Sequence, residues 1–196
     1  MDAIAAPKLT LPPEEAAALR AAYAEARVIL EYGSGGSTVI GGANPEAVVF
    51  SVESDAAWVA MMQGWFDANP PAGRVVLHHA DIGETKAWGQ PANNRRVGRW
   101  PGYPNSIWDR PDFQQPDTVL IDGRFRLACF LTVLLRTKAP VKVLWDDYID
   151  RPGYHRAERL CAPVRHHGRM VEFHVDPQTL APADLPWVVE AFVTPQ

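Results

Sequence analysis

The sequence predicts a single α/β domain over residues 1–196, with a mostly parallel seven-stranded sheet and an antiparallel edge hairpin near the C-terminus. Three observations predict it. Short apolar runs alternate with helical patterns along the chain, which is the signature of βαβ units. Those runs are apolar on both faces, as parallel strands covered by helices on both sides must be. The 196 residues, 47% of them hydrophobic, suffice for one sizeable core.

Each element follows from local chemistry. Residues 12–27 predict a helix, with Pro12, Pro13, Glu14 and Glu15 forming a favourable first turn before an Ala- and Leu-rich body. RVILEYG is a buried strand that stops at Gly33, and STVIGGA starts a short helix ending at Gly41 and Gly42. AVVFSVE (47–53) is the second strand. Residues 54–69 follow as a helix, with Ala57, Met61 and Trp65 at helical spacing. RVVLHHAD (74–81), DTVLIDG (117–123) and VKVLWDD (141–147) are three further strands, and RLACFLTVLLRT (126–137) is a buried helix. RMVEFHV (169–175) and WVVEAFV (187–193) read as the edge pair, 169–193, because no crossover helix separates them.

Residues 82–116 break the rhythm. This stretch carries Trp88, Trp100, Tyr103, Trp108, several prolines and Arg95, Arg96 and Arg99. A loop or lid insertion of that length is uncommon and often functional. Its place between two strands predicts that it emerges at the carboxyl edge of the sheet, where open α/β folds bind ligands.

Composition narrows the function. The formal net charge is −4, and no basic stripe marks a nucleic-acid partner. No apolar run reaches the ~18 residues of a membrane span. MDAIAAPKLTLPPEE has no basic segment leading into an apolar one, so a cytoplasmic location is expected. Cys129 and Cys161 are too few for a disulfide framework and lack metal-site spacing.

The strongest chemical signal is ILEYGSGGSTVI, residues 29–40. A strand ends at Glu31, and a turn follows with Gly33, Gly35 and Gly36. Glycine lets bare backbone approach a ligand. About twenty residues past Gly33, Glu53 ends the second strand, where an acid can accept from both hydroxyls of a ribose. Together these features predict an adenosine cofactor. A dinucleotide fingerprint, G-x-G-x-x-G, is poorly matched, because Thr38 stands at the third glycine.

The segment E-Y-G-S-G-G-S resembles the first motif of class I S-adenosylmethionine-dependent methyltransferases, a Rossmann-like family, and the resemblance runs from about Arg27 to Tyr148. Ser37 stands where that motif has its third glycine. The resemblance implies that Gly33, Ser34, Gly35 and Ser37 line the methionine part of S-adenosyl-L-methionine. It implies that Glu31 fixes the loop or the cofactor's amino group, and that Glu53 holds the ribose. By the same carry-over, Asp81 meets the adenine amino group with Ile82 beside the ring, and Asp122 lies near the methyl donor. Strand-end acids also cap helices and pair with arginines.

LIDG and LWDDY place Asp122, Asp146 and Asp147 at adjacent strand tips. Three such carboxylates repel unless protons, an arginine or a cation neutralises them. Hard cations take oxygen ligands of this kind, and Mg²⁺ there would lower an acceptor hydroxyl's pKa. The pattern is similar to the metal-dependent macrocin- and catechol-type O-methyltransferases. The alternative is neutralisation by Arg124 or Arg126, or helix capping. Asp122, Asp146 and His155 are the candidate catalytic residues, with His155 as a general base; a plain surface histidine is the alternative. The expected reaction is methyl transfer to a small-molecule hydroxyl or amine. I-D-G-R in place of N/D-P-P-Y argues against a nucleic-acid base as acceptor. The competing readings are a non-catalytic relative that keeps the fold and an NAD-dependent oxidoreductase.

Overall fold

The structure, a computed structural model, describes residues 5–195. Helix α1 (Pro13–Glu25) leads into β1 (Val28–Tyr32), α2 (Gly36–Gly42), β2 (Val48–Glu53), α3 (Ala56–Ala68) and β3 (Arg74–His79). A two-stranded hairpin, β4 (Thr85–Lys86) and β5 (Gln90–Pro91), and the short α4 (Gly102–Asn105) precede β6 (Thr118–Ile121). Then come α5 (Arg126–Arg136), β7 (Val141–Trp145), β8 (Arg165–His167), β9 (Met170–Val175) and α6 (Leu185–Phe192).

The main sheet has seven strands in the order β3-β2-β1-β6-β7-β9-β8. The first five run parallel, while β9 pairs antiparallel with β7 and β8. Strand order reverses between β1 and β6, so their carboxyl ends open a switch-point crevice. Side chains alternate across β1. Leu30 and Tyr32 face the layer of α5 and α6, whereas Ile29 faces that of α1. Both layers are closed cores, which accounts for strands apolar on both faces.

Two expectations about elements are corrected. Residues 187–193 are not a strand: all but Val193 lie in α6, whose buried residues Trp187, Val188 and Ala191 share one helical face. The apolar run WVV imitates a strand, but Pro186 suits a helical first turn and Ala191 completes the helical stripe. The edge partner of β9 is instead β8, from a segment that reads as a loop. In α3 the buried face is Met62 and Phe66 rather than Ala57, Met61 and Trp65. That helix is apolar around most of its circumference, so spacing alone does not fix its phase.

Residues 82–116 are also not an open loop. Trp100, Tyr103 and Ile107 are buried against the α5 side of the sheet, and Trp108 donates its indole N–H to Tyr32 Oη at 2.8 Å. The segment is anchored by its aromatics and leaves the hairpin β4–β5 projecting at the crevice.

Candidate functional site

The turn after β1 is built from below. Glu31 is fully buried and accepts from Tyr23 Oη at 2.8 Å and from Thr38 Oγ1 at 2.6 Å. Thr38 Oγ1 in turn accepts the backbone N–H of Gly35 at 2.9 Å. Burial raises the Glu31 pKa, and the donors from Thr38 and Tyr23 pull against that rise. Glu31 therefore fixes the loop; it does not border the cavity and is not placed for a ligand's amino group. Thr38, which reads in the sequence only as a mismatch to a dinucleotide motif, is the linchpin of this chain.

The turn is also open from above. Gly33 has φ +104°, and a Cβ there would lie 2.8 Å from the backbone nitrogen of Gly123. The ends of β1 and β6 thus meet glycine against glycine. At Gly35 an added Cβ would meet nothing within 4 Å, so bare backbone faces free space. Leu9, in the strap before α1, lies against Gly36.

Glu53 stands beside this turn. Its Oε2 accepts from the Ser34 N–H at 3.4 Å, and its Oε1 accepts from the N–H groups of Ser54 at 2.6 Å and Asp55 at 3.0 Å. The β4–β5 tip closes over it, with Ser54 Oγ donating to the Gly89 carbonyl at 2.8 Å. Trp88 stands at that tip, 83% exposed and with φ +64°. Trp58, on α3, donates its indole N–H to the Ser34 carbonyl at 2.9 Å. Two indoles thus border the Glu53 end of the cavity.

Asp81 and Ile82 do not border it. Asp81 accepts the Gly83 N–H at 2.9 Å and pairs with Arg99. Ile82 is buried in the core. The chain turns away two residues past the end of β3, so neither residue takes the adenine-side place that the resemblance implies.

The three strand-tip acids do converge, together with arginines. Arg126 is held by Gly123 O and Asp122 O, pairs with Asp122 Oδ1 at 3.0 Å, and lies 3.4 Å from Asp147 Oδ2. Arg169, from the β8–β9 turn, grips Asp146 with two bonds of 3.1 and 2.7 Å and reaches Asp147 at 3.2 Å. Arg151 pairs with Asp147 at 3.2 Å. Asp147 itself adopts φ +57°, a conformation costly for a non-glycine residue.

These residues do not fit a metal centre. Each carboxylate is already neutralised by a guanidinium, and the cationic groups stand where a divalent ion would need free oxygen ligands. Among the described residues, no group of three His, Cys, Asp or Glu side chains is arranged to hold an ion. The Mg²⁺ expectation for Asp122, Asp146 and Asp147 is corrected accordingly.

Asp122 has the most distinctive electrostatics. Its side chain is 30% exposed and borders the cavity. Burial lifts its pKa to about 7, against the pull of Arg126 and with the push of Asp146 and Asp147. His155 does not join it. That ring lies exposed against Tyr148, 5.0 Å between centroids, and outside the cavity lining.

Gly33, Ser34, Gly35, Ser37, Glu53, Asp122, Asp146 and Asp147 share one cavity of about 680 Å³. That volume suits a cofactor-sized ligand. Sequence reasoning passes over Trp58 and Arg169, which also line it, as does Arg126, expected only as a neutraliser of the acids. The only signals for them are an aromatic on the helix after Glu53 and basic residues near the acids.

No protein-family model and no curated protein matches the chain. Solved structures do. A methyltransferase-like protein from Silicibacter pomeroyi is 44% identical, with a TM-score of 0.92 over 97% of this chain and 99% of that one. The O-methyltransferase TomG from Streptomyces achromogenes, solved with SAM, shares the fold at 16% identity and a TM-score of 0.57, over 87% and 82% of the two chains. The O-methyltransferase from Bacillus cereus, solved with SAH, does so at 16% identity and 0.58, over 87% and 84%. The Gly33–Ser37 turn, the acid that ends β2 and the near full-length match to the Silicibacter pomeroyi protein agree: the chain belongs to the class I S-adenosylmethionine-dependent methyltransferases.

Proposed function

We propose that the protein transfers a methyl group from S-adenosylmethionine to a hydroxyl or amine of a small molecule. One observation carries this reading: the bare backbone at Gly33–Gly35, the Glu53 carboxylate and Asp122 border a single cavity. Glu53 would accept from the ribose hydroxyls, the glycine turn would lie against the methionine part, and Trp58 and Trp88 would flank the nucleoside. Bound S-adenosylmethionine supplies an electrophilic methyl group on a sulfonium, with one C–S bond broken as one C–O or C–N bond forms.

The chain's own contribution is placement and proton removal. Asp122, with a pKa near neutrality, takes the acceptor's proton on its carboxylate. Arg126 fixes that carboxylate, and Arg169 fixes Asp146 behind it. The neighbouring carboxylates, neutralised by arginine, make the floor polar without a metal ion. The two indoles narrow water's access to the nucleoside end.

Calorimetry with S-adenosylhomocysteine tests the donor assignment. Saturable binding is expected, with about 10- to 100-fold loss in Glu53→Ala, the scale of hydrogen bonds to a charged group. Binding of NAD without binding of S-adenosylhomocysteine would overturn it.

A further inference from the structure

Four arginines reach the cavity floor, and three of them are matched to acids. Arg126, Arg151 and Arg169 each pair with Asp122, Asp146 or Asp147. Arg124 is different. It lines the same cavity, yet among the described residues no carboxylate lies within ion-pair distance of it and its side chain makes no hydrogen bond. Its Nε is buried without a partner. An orphaned buried donor on a cation is costly, and one that borders a cavity is a group that a ligand there can complete.

The backbone holds Arg124 in place. Its N–H points to Tyr103 Oη at 3.2 Å, and its carbonyl lies 3.3 Å from Cys129 Sγ. Gly123, just before it, abuts Gly33. The backbone of Arg124 is thus fixed two residues after Asp122, at the end of β6, and its side chain borders the cavity. A planar guanidinium fork matches a carboxylate in two-point geometry. Burial and the nearby Arg126 both disfavour its charge, so a counter-anion is what the site lacks.

We propose that Arg124 binds a carboxylate on the methyl acceptor, making the acceptor a small carboxylic acid whose hydroxyl or amine sits at Asp122. This rests on the methyl-donor reading above. The other carboxylate the cavity would receive is the donor's own. Lys8, whose backbone lies against Gly36, is a separate cationic residue bordering the cavity on the glycine-turn side.

The test measures thermal shifts of the protein saturated with S-adenosylhomocysteine. The probes are benzoate, 3-hydroxybenzoate and 2-hydroxybutyrate, each beside its neutral carboxamide. At least one carboxylate is expected to raise the melting temperature while its amide does not. Arg124→Gln should weaken that response at least tenfold and leave S-adenosylhomocysteine affinity within twofold. The unliganded variant should melt no lower than wild type, because Arg124 has no protein partner to lose. The proposal is overturned if no carboxylate shifts the wild type, if the shift survives in Arg124→Gln, or if that variant loses donor affinity instead. Failure of the wild type to bind S-adenosylhomocysteine at all sinks the underlying donor reading, and is read separately.

Discussion

Asp122 is where a single residue's environment governs both rate and stability. Its carboxyl titrates near 7, whereas in an unfolded chain it titrates near 4. Between those values the native state holds a proton that the unfolded state has released. Unfolding free energy contributed by this group is therefore full below about pH 4 and declines as pH rises through about 7. Activity should move the other way, because the carboxylate is the form that accepts a proton. The turnover rate is expected to climb through about pH 7. In Asp122→Asn that limb should vanish and the rate drop by roughly 10²–10⁴. A pH profile unchanged by the substitution would remove Asp122 from the reaction.

The residues legible in the sequence were those whose role is local. Gly33, Gly35 and Glu53 announce themselves by spacing and by strand-end position. Asp81, Ile82 and His155 lie outside the cavity lining because tertiary packing engages them elsewhere. Arg99 comes from the 82–116 segment to take Asp81, and Tyr148 takes the His155 ring. The metal reading failed for the same reason. Three acids in two short motifs are visible, but Arg169, which neutralises two of them, lies on the β8–β9 turn.

That turn shows how an element serves the site. Gly168 has φ +58°, and an added Cβ would press on the Glu15 carboxylate. Glu15, in the first turn of α1, accepts the Arg169 N–H at 2.8 Å. The helix at one end of the chain thereby holds the arginine that grips Asp146. Gly168→Ala should destabilise the protein by about 2 kcal/mol or more, from left-handed strain plus the displaced acid. Denaturant unfolding at neutral pH measures it. A variant as stable as wild type would mean the turn carries no such constraint. From sequence, Glu15 reads only as a dipole-favouring acid, since a contact between the two ends of a chain leaves no local trace. The same limit explains α6: an apolar triplet alone does not separate strand from helix, and burial against the α5 layer decides.

At the scale of the molecule, the alternation of strands and helices fixed the switch point, and the switch point fixed where a ligand would lie. Strand order places the glycine turn, Glu53 and the β6–β7 acids along one edge of the sheet. Among the described residues no helix is long and apolar enough to cross a membrane. The 82–116 segment stood out in the sequence by its length and its aromatics, but not as a packed wall with one projecting hairpin. Its anchoring contacts, such as Trp108 to Tyr32, run across the fold. A crystal structure grown with S-adenosylhomocysteine tests the central claim most directly. Ribose hydroxyls are expected within hydrogen-bond distance of Glu53, with the sulfur facing Asp122 and no divalent ion on Asp122, Asp146 or Asp147. Density for the nucleoside anywhere other than this cavity, or a metal ion displacing Arg126 and Arg169 from those acids, would contradict it.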